Sequence, residues 1–172
     1  LTVNAALEAS GQISGHVTAA ATGLPLEGAS AVVVNPNTLS GFIAAYTDAS
    51  GAYTIYHVPA GQYYVRFSVS SSYGYNVAGE WYNNQPSAAT ANLVSVSAGA
   101  VTPGINAALE PGASISGQVT RTSDGAALED IYVLCVTADT NETLGSAYTD
   151  ASGNYTIDSL PAGNYKIYFQ SW

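Results

Sequence analysis

Apolar and polar residues alternate along much of the chain with a period of two, which predicts strands with one buried face. Ile13, Gly15 and Val17 alternate with Ser14, His16 and Thr18. Residues 31–34 form an apolar run, with 131–136 as its counterpart. Tyr53 and Ile55 flank Thr54; Tyr63, Val65 and Phe67 share a face, matched by Tyr165, Ile167 and Phe169. Between these runs lie Asp48-Ala49-Ser50-Gly51 and Asp150-Ala151-Ser152-Gly153, whose Asp and Gly predict tight hairpins. Pro59-Ala60-Gly61 and Pro161-Ala162-Gly163 predict the next turn. Short strands at this spacing, with no helical period, predict an all-β sandwich.

The pattern occurs twice. Residues 4–18 read NAALEASGQISGHVT and 106–120 read NAALEPGASISGQVT, an offset of 102. Residues 46–67, YTDASGAYTIYHVPAGQYYVRF, and 148–169, YTDASGNYTIDSLPAGNYKIYF, keep that offset without a gap. Leu26-Glu27 and Leu128-Glu129 do the same. The expected division is 1–10, the closing strand of a preceding repeat or a donated strand; 11–110, a first sandwich repeat; and 111–172, a second, incomplete one. The second lacks counterparts of residues 71–105, and a unit that small buries little surface alone. Two readings are open. The chain is an excerpt of a longer array, or its second repeat is completed by another subunit, with residues 1–8 adding a strand to an open edge. Leu1, Val3, Ala5 and Leu7 are the candidate inward residues of that strand, which would replace only the last of the missing ones.

The order I-S-G-x-V-T, L-E-G-A, T-D-A-S-G-x-Y-T-I and P-A-G-x-Y resembles the carboxypeptidase regulatory-like repeats, grouped with the B-type repeats of collagen adhesins. Glu80-Trp81-Tyr82-Asn83-Asn84-Gln85-Pro86, residues 94–96 and Gly99 look like the second half of the same bacterial repeat. The resemblance implies tandem immunoglobulin-like or prealbumin-like Greek-key β-sandwich repeats. It says little about function, because such repeats decorate many unrelated secreted proteins. Many collagen-adhesin repeats carry a Lys–Asn or Lys–Asp cross-link. Here the first repeat has no lysine and the second only Lys166, aligned with Tyr64 on the polar face, so that device is not expected.

Charge narrows the function classes. Only 9% of residues are charged, against about 25% in a typical chain, and the net charge is −9. With Arg66, Arg121 and Lys166 as the only Lys and Arg, no basic cluster exists to bind nucleic acid or an anionic membrane surface. No apolar run reaches the roughly 18 residues of a membrane span. No basic segment leads into an apolar stretch of signal-peptide type, so a mature chain or a fragment is expected. A surface wetted by Ser, Thr, Asn, Gly and Tyr fits an extracellular or cell-surface setting.

Candidate chemistry is sparse. His16 and His57 have no partner at metal-ligand spacing, and no G-x-S-x-G elbow occurs. Asp48 and Asp150 supply one carboxylate per turn, where calcium takes several, so a turn role is expected. Cys135, the one cysteine, aligns with Val33 in an apolar strand and reads as a small buried hydrophobe. Tyr53, Tyr63, Tyr155 and Tyr165 read as core. Tyr73, Tyr75, Trp81 and Tyr82 are candidate sugar-stacking or interface aromatics, with Asn83, Asn84 and Gln85 available to bond hydroxyls. Asn141-Glu142-Thr143 and Asn154-Tyr155-Thr156 match the N-glycosylation sequon, making Asn141 and Asn154 candidate sites.

No catalytic residue, cofactor or metal is expected. The leading expectation is a non-enzymatic structural repeat of an extracellular protein (a stalk, surface adhesin or filament subunit), assembling end to end by strand complementation. Its partners would be neighbouring copies or adjacent repeats. The alternative is a carbohydrate-binding or accessory module of a secreted hydrolase, with glycans as partners.

Overall fold

A computed structural model describes residues 1, 3, 8–138 and 141–171. The chain divides into two compact units. One comprises Leu1–Tyr75 with Gly79–Glu110, the other Asn76–Ala78 with Pro111–Trp172.

Unit 1 is a sandwich of two sheets. The alternation at 13–18 becomes β1 (Gly11–Ala19), which pairs antiparallel with β4 (Ala52–Val58). Its other edge carries two short parallel strands, β8 (Val101–Thr102) and β9 (Ala107–Leu109). The second sheet runs β3 (Gly41–Tyr46), β2 (Ala29–Val34), β5 (Gly61–Val69) and β6 (Glu80–Trp81), with β7 (Val94–Val96) also on β5. Period-two patterning sends Ile13 and Val17 of β1, Ile55 of β4, Val33 of β2 and Val65 and Phe67 of β5 into one core. The Tyr53 ring meets Phe67 edge-on across the layers, centroids 5.9 Å apart.

Unit 2 repeats this plan with fewer strands. One sheet pairs β10 (Ala113–Gln118) with β13 (Asn154–Leu160); the other orders β12 (Thr143–Tyr148), β11 (Tyr132–Thr137) and β14 (Tyr165–Gln170). Val133, Cys135, Ile157 and Leu160 form its core. The repeat reaches into the backbone. His57 and Ser159, 102 residues apart, both take positive φ (61° and 63°) beside the register shift that bends β4 and β13. Such a shift is a bulge, which raises local twist.

The Asp48–Gly51 and Asp150–Gly153 turns correct one expectation. They are not hairpins within a sheet. Each carries the chain from one layer to the other, β3 to β4 and β12 to β13. The cause is the preceding threonine. Buried Thr47 takes the Ala29 N–H on its hydroxyl at 2.8 Å and donates that hydroxyl to the Leu26 carbonyl. Thr149 does the same with Ile131 at 2.9 Å and Leu128 at 2.6 Å. These bonds hold the chain against residues 26–29 and 128–131 as it leaves its ladder. The Asp then shapes the turn itself, Asp48 Oδ1 accepting from the Ser50 N–H, the Ser50 hydroxyl and the Ala52 N–H.

Candidate functional site

The two units differ most at one sheet edge. Residues of β1 that face away from β4 are bonded throughout: the Gln12 N–H donates to the Ala100 carbonyl at 2.9 Å, and the Ser14 carbonyl accepts the Ile105 N–H at 3.1 Å. The His16 N–H donates to Asn106 Oδ1 at 2.9 Å, and the Ala20 N–H to the Leu109 carbonyl at 2.9 Å. Tyr53 reaches across to give its hydroxyl proton to the Ile105 carbonyl at 2.6 Å. Gly15 is required here, because a Cβ on it would lie 2.1 Å from the Ile105 oxygen.

The corresponding edge of β10 has no partner strand among the described residues. Ser114, Ser116 and Gln118 stand where Gln12, Ser14 and His16 stand in β1. The core beneath is correspondingly open. Ile13, Val17 and Phe67 are fully buried, whereas Ile115 and Val119 are half-buried and Phe169 is 52% exposed. The Tyr155–Phe169 edge contact survives at 5.8 Å, so the pair is built but uncovered. Tyr165, which lacks the neighbour that β7 gives Tyr63, has a buried hydroxyl without a hydrogen bond, and burial raises its pKa. An edge of unpaired backbone groups over apolar surface is a template for a further strand.

Of the candidate donated strand, Leu1 and Val3 are exposed, and Ala5 and Leu7 lie outside the described residues.

The candidate aromatics do not gather into one platform. Trp81 is 5% exposed; Tyr64 abuts it edge-on at 6.0 Å and the Arg66 guanidinium lies 6.0 Å from its ring centre. Its faces are closed to a sugar. Tyr82 and Tyr75 are half-buried, and Tyr73 is exposed but lies against Gly28. Asn83 and Asn84 both adopt positive φ in the turn that returns the chain from Trp81 to Gln85, a conformation Asn tolerates well. Asn83 bonds Asn92, and Gln85 bonds the Asn83 carbonyl.

Asn141 and Asn154 are both exposed; Asn141 Oδ1 accepts from Lys166 Nζ at 3.0 Å. His16 and His57 are exposed on different strands. Cys135 is buried, which pushes its thiol pKa up. Among the described residues, no group of three or more His, Cys, Asp or Glu is placed to hold a metal. No helix among them is long and apolar enough to cross a membrane.

One ionisable group escaped the sequence reading. Glu80, beside Trp81 on β6, is 9% exposed with Oε1 unbonded. Burial raises its pKa to about 7, opposed by the Ala108 N–H and assisted by the Glu110 carboxylate. The only signal was an acid at an inward register position in a chain with few charges.

The profile of the carboxypeptidase regulatory-like domain matches residues 12–110 and 114–171. Comparison with curated proteins found no match. Among solved structures, the TIE protein of Bacillus anthracis aligns with 94% of this chain at 17% identity and a TM-score of 0.42. A streptococcal ancillary pilin aligns with 94% at 12% identity and a TM-score of 0.41. The minor pilin GBS52 of Streptococcus agalactiae aligns with 94% at 14% identity and a TM-score of 0.37. This chain spans 28%, 54% and 84% of their respective lengths.

Proposed function

Because the chain belongs to the carboxypeptidase regulatory-like domain family, we propose that it is a non-catalytic structural module of an extracellular or cell-surface protein, a stalk, adhesin or filament subunit that joins other copies end to end by strand addition. The family match over both repeats, residues 12–110 and 114–171, carries this reading. Repeats of this kind gain stability from intrinsic terms and from neighbour interfaces.

The test is native mass and shape, by light scattering with negative-stain microscopy across a concentration series. Concentration-dependent ladders or filaments are expected. A monomer of 17.6 kDa at every concentration overturns the assembly reading.

A further inference from the structure

Among the ring contacts of the described residues, one joins two phenols: Tyr132 and Tyr148, with centroids 5.2 Å apart and planes tilted by 48°. The others pair a tyrosine with Phe, His or Trp. The ladder sets this contact. Tyr132 of β11 stands directly opposite Tyr148, the last residue of β12. Side chains so opposed leave the same face with Cβ atoms about 4.5–5.5 Å apart. That face is the outer one, because Val133 and Cys135, which alternate with Tyr132 along β11, fill the core. Tyr148 is 58% exposed and Tyr132 half-buried, so the pair is open to solvent.

Unit 1 keeps only half of this arrangement. Tyr46, which corresponds to Tyr148 at the repeat offset, is 71% exposed. The residue opposite it is Ser30, whose hydroxyl meets that of Ser68 at 2.9 Å. The second tyrosine is therefore a feature of unit 2 and not of the repeat. In both units the strand that carries the exposed tyrosine, β3 or β12, lies at the edge of its sheet.

We propose that Tyr132 and Tyr148 are a site of oxidative cross-linking, joined ring to ring as a dityrosine that staples edge strand β12 to β11. Hydrogen peroxide, used by a haem peroxidase, takes one hydrogen atom from each phenol and leaves as two waters. The two phenoxyl radicals then join through a Cε carbon, ortho to oxygen, on each ring. The hydrogen on each of those carbons passes to the oxygen of its own ring, and both phenols are restored. One C–C bond forms, two ring C–H bonds break, and the chain loses two hydrogens. The staple closes residues 132–148 into a loop, which restricts the unfolded chain more than the folded one. Both rings belong to one chain, so the inference stands apart from end-to-end assembly.

The experiment treats the intact chain, in dilute solution, with hydrogen peroxide and a haem peroxidase. Dityrosine fluorescence, peptide mass mapping and the thermal unfolding midpoint are read. The expected product is monomeric and joins the Tyr132 and Tyr148 peptides with loss of two hydrogens. Its unfolding midpoint should rise by about 5 °C or more. Tyr132→Phe and Tyr148→Phe should each lose this cross-link, while Tyr46→Phe and Tyr168→Phe should keep it. A treated chain without the Tyr132–Tyr148 product, whichever other tyrosines couple, overturns the site. An unchanged midpoint in the cross-linked chain overturns the staple.

Discussion

The ring of Tyr73 occupies the space that a side chain on Gly28 would need: a Cβ built there would lie 2.1 Å from the Tyr73 Cζ. Gly28 also holds φ at 71°, a region that costs an L-residue about 1–2 kcal/mol. The two effects separate because Tyr73 is half exposed and can be pushed aside. Gly28→Ala should lower stability by about 2 kcal/mol in urea unfolding. Tyr73→Ala in that background should recover part of the loss. Strict additivity of the two changes would show that the ring does not rest on Gly28.

Thr47 offers a cleaner deletion. Replacing it with Val keeps the shape but strands the Ala29 N–H and the Leu26 carbonyl in a buried site. Unpaired buried groups of this kind cost about 1–3 kcal/mol together with the lost bonds. Thr47→Val should therefore lower the unfolding midpoint clearly, and Thr47→Ser should sit near the parent. A neutral Thr47→Val would remove the hydroxyl from its place as the anchor of the layer crossing.

Glu80 sets a pH dependence with a definite sign. Its pKa is higher in the folded chain (about 7) than its ordinary value of 4.5, so folding favours the protonated form. That contribution is fully present below pH 4.5 and is lost as pH rises through 7. Unfolding should thus become easier between pH 5.5 and 8, where unshifted carboxylates are already ionised. Glu80→Gln should flatten the profile and stabilise the chain at pH 8 by about 2 kcal/mol. A profile unchanged by Glu80→Gln would refute the assignment.

Trp81 is closed in by Tyr64 and Arg66, so its loss should register in folding. Trp81→Ala should cost about 3–4 kcal/mol in unfolding free energy, the range for removing a buried aromatic. A variant as stable as the parent would mean that the ring stands free.

The strands and the 102-residue repeat were legible because both depend on local features: alternation, and Asp and Gly at fixed places. Ile13, Val17, Val65 and Phe67 could be assigned to a core by counting in twos. The layer crossing after β3 could not be read this way. Its turn residues suit a hairpin equally well, and the decision is made by Thr47 bonding 18 and 21 residues back in sequence. Trp81 was ambiguous between a sugar-stacking and an interface role for a related reason. It sits among polar residues that suggest a wet surface, yet Asn83 and Asn84 are occupied in turning the chain beside it. The Glu80 carboxyl required knowledge of β9, because its one N–H neighbour, Ala108, is contributed from 28 residues away. The unpartnered edge of β10 was legible only as a deficit of residues; the uncovered Tyr155–Phe169 pair beneath it comes from comparing two folded units.

The parallel pairing of β1 with β9 has a mechanical meaning. The chain enters unit 1 at the start of β1 and passes onward from the end of β9, so tension along the polypeptide pulls these neighbours in opposite directions along their shared axis. Their hydrogen bonds are then loaded in shear, all together, instead of being unzipped one at a time. Pulled from its two ends, unit 1 would have to break that ladder as a set.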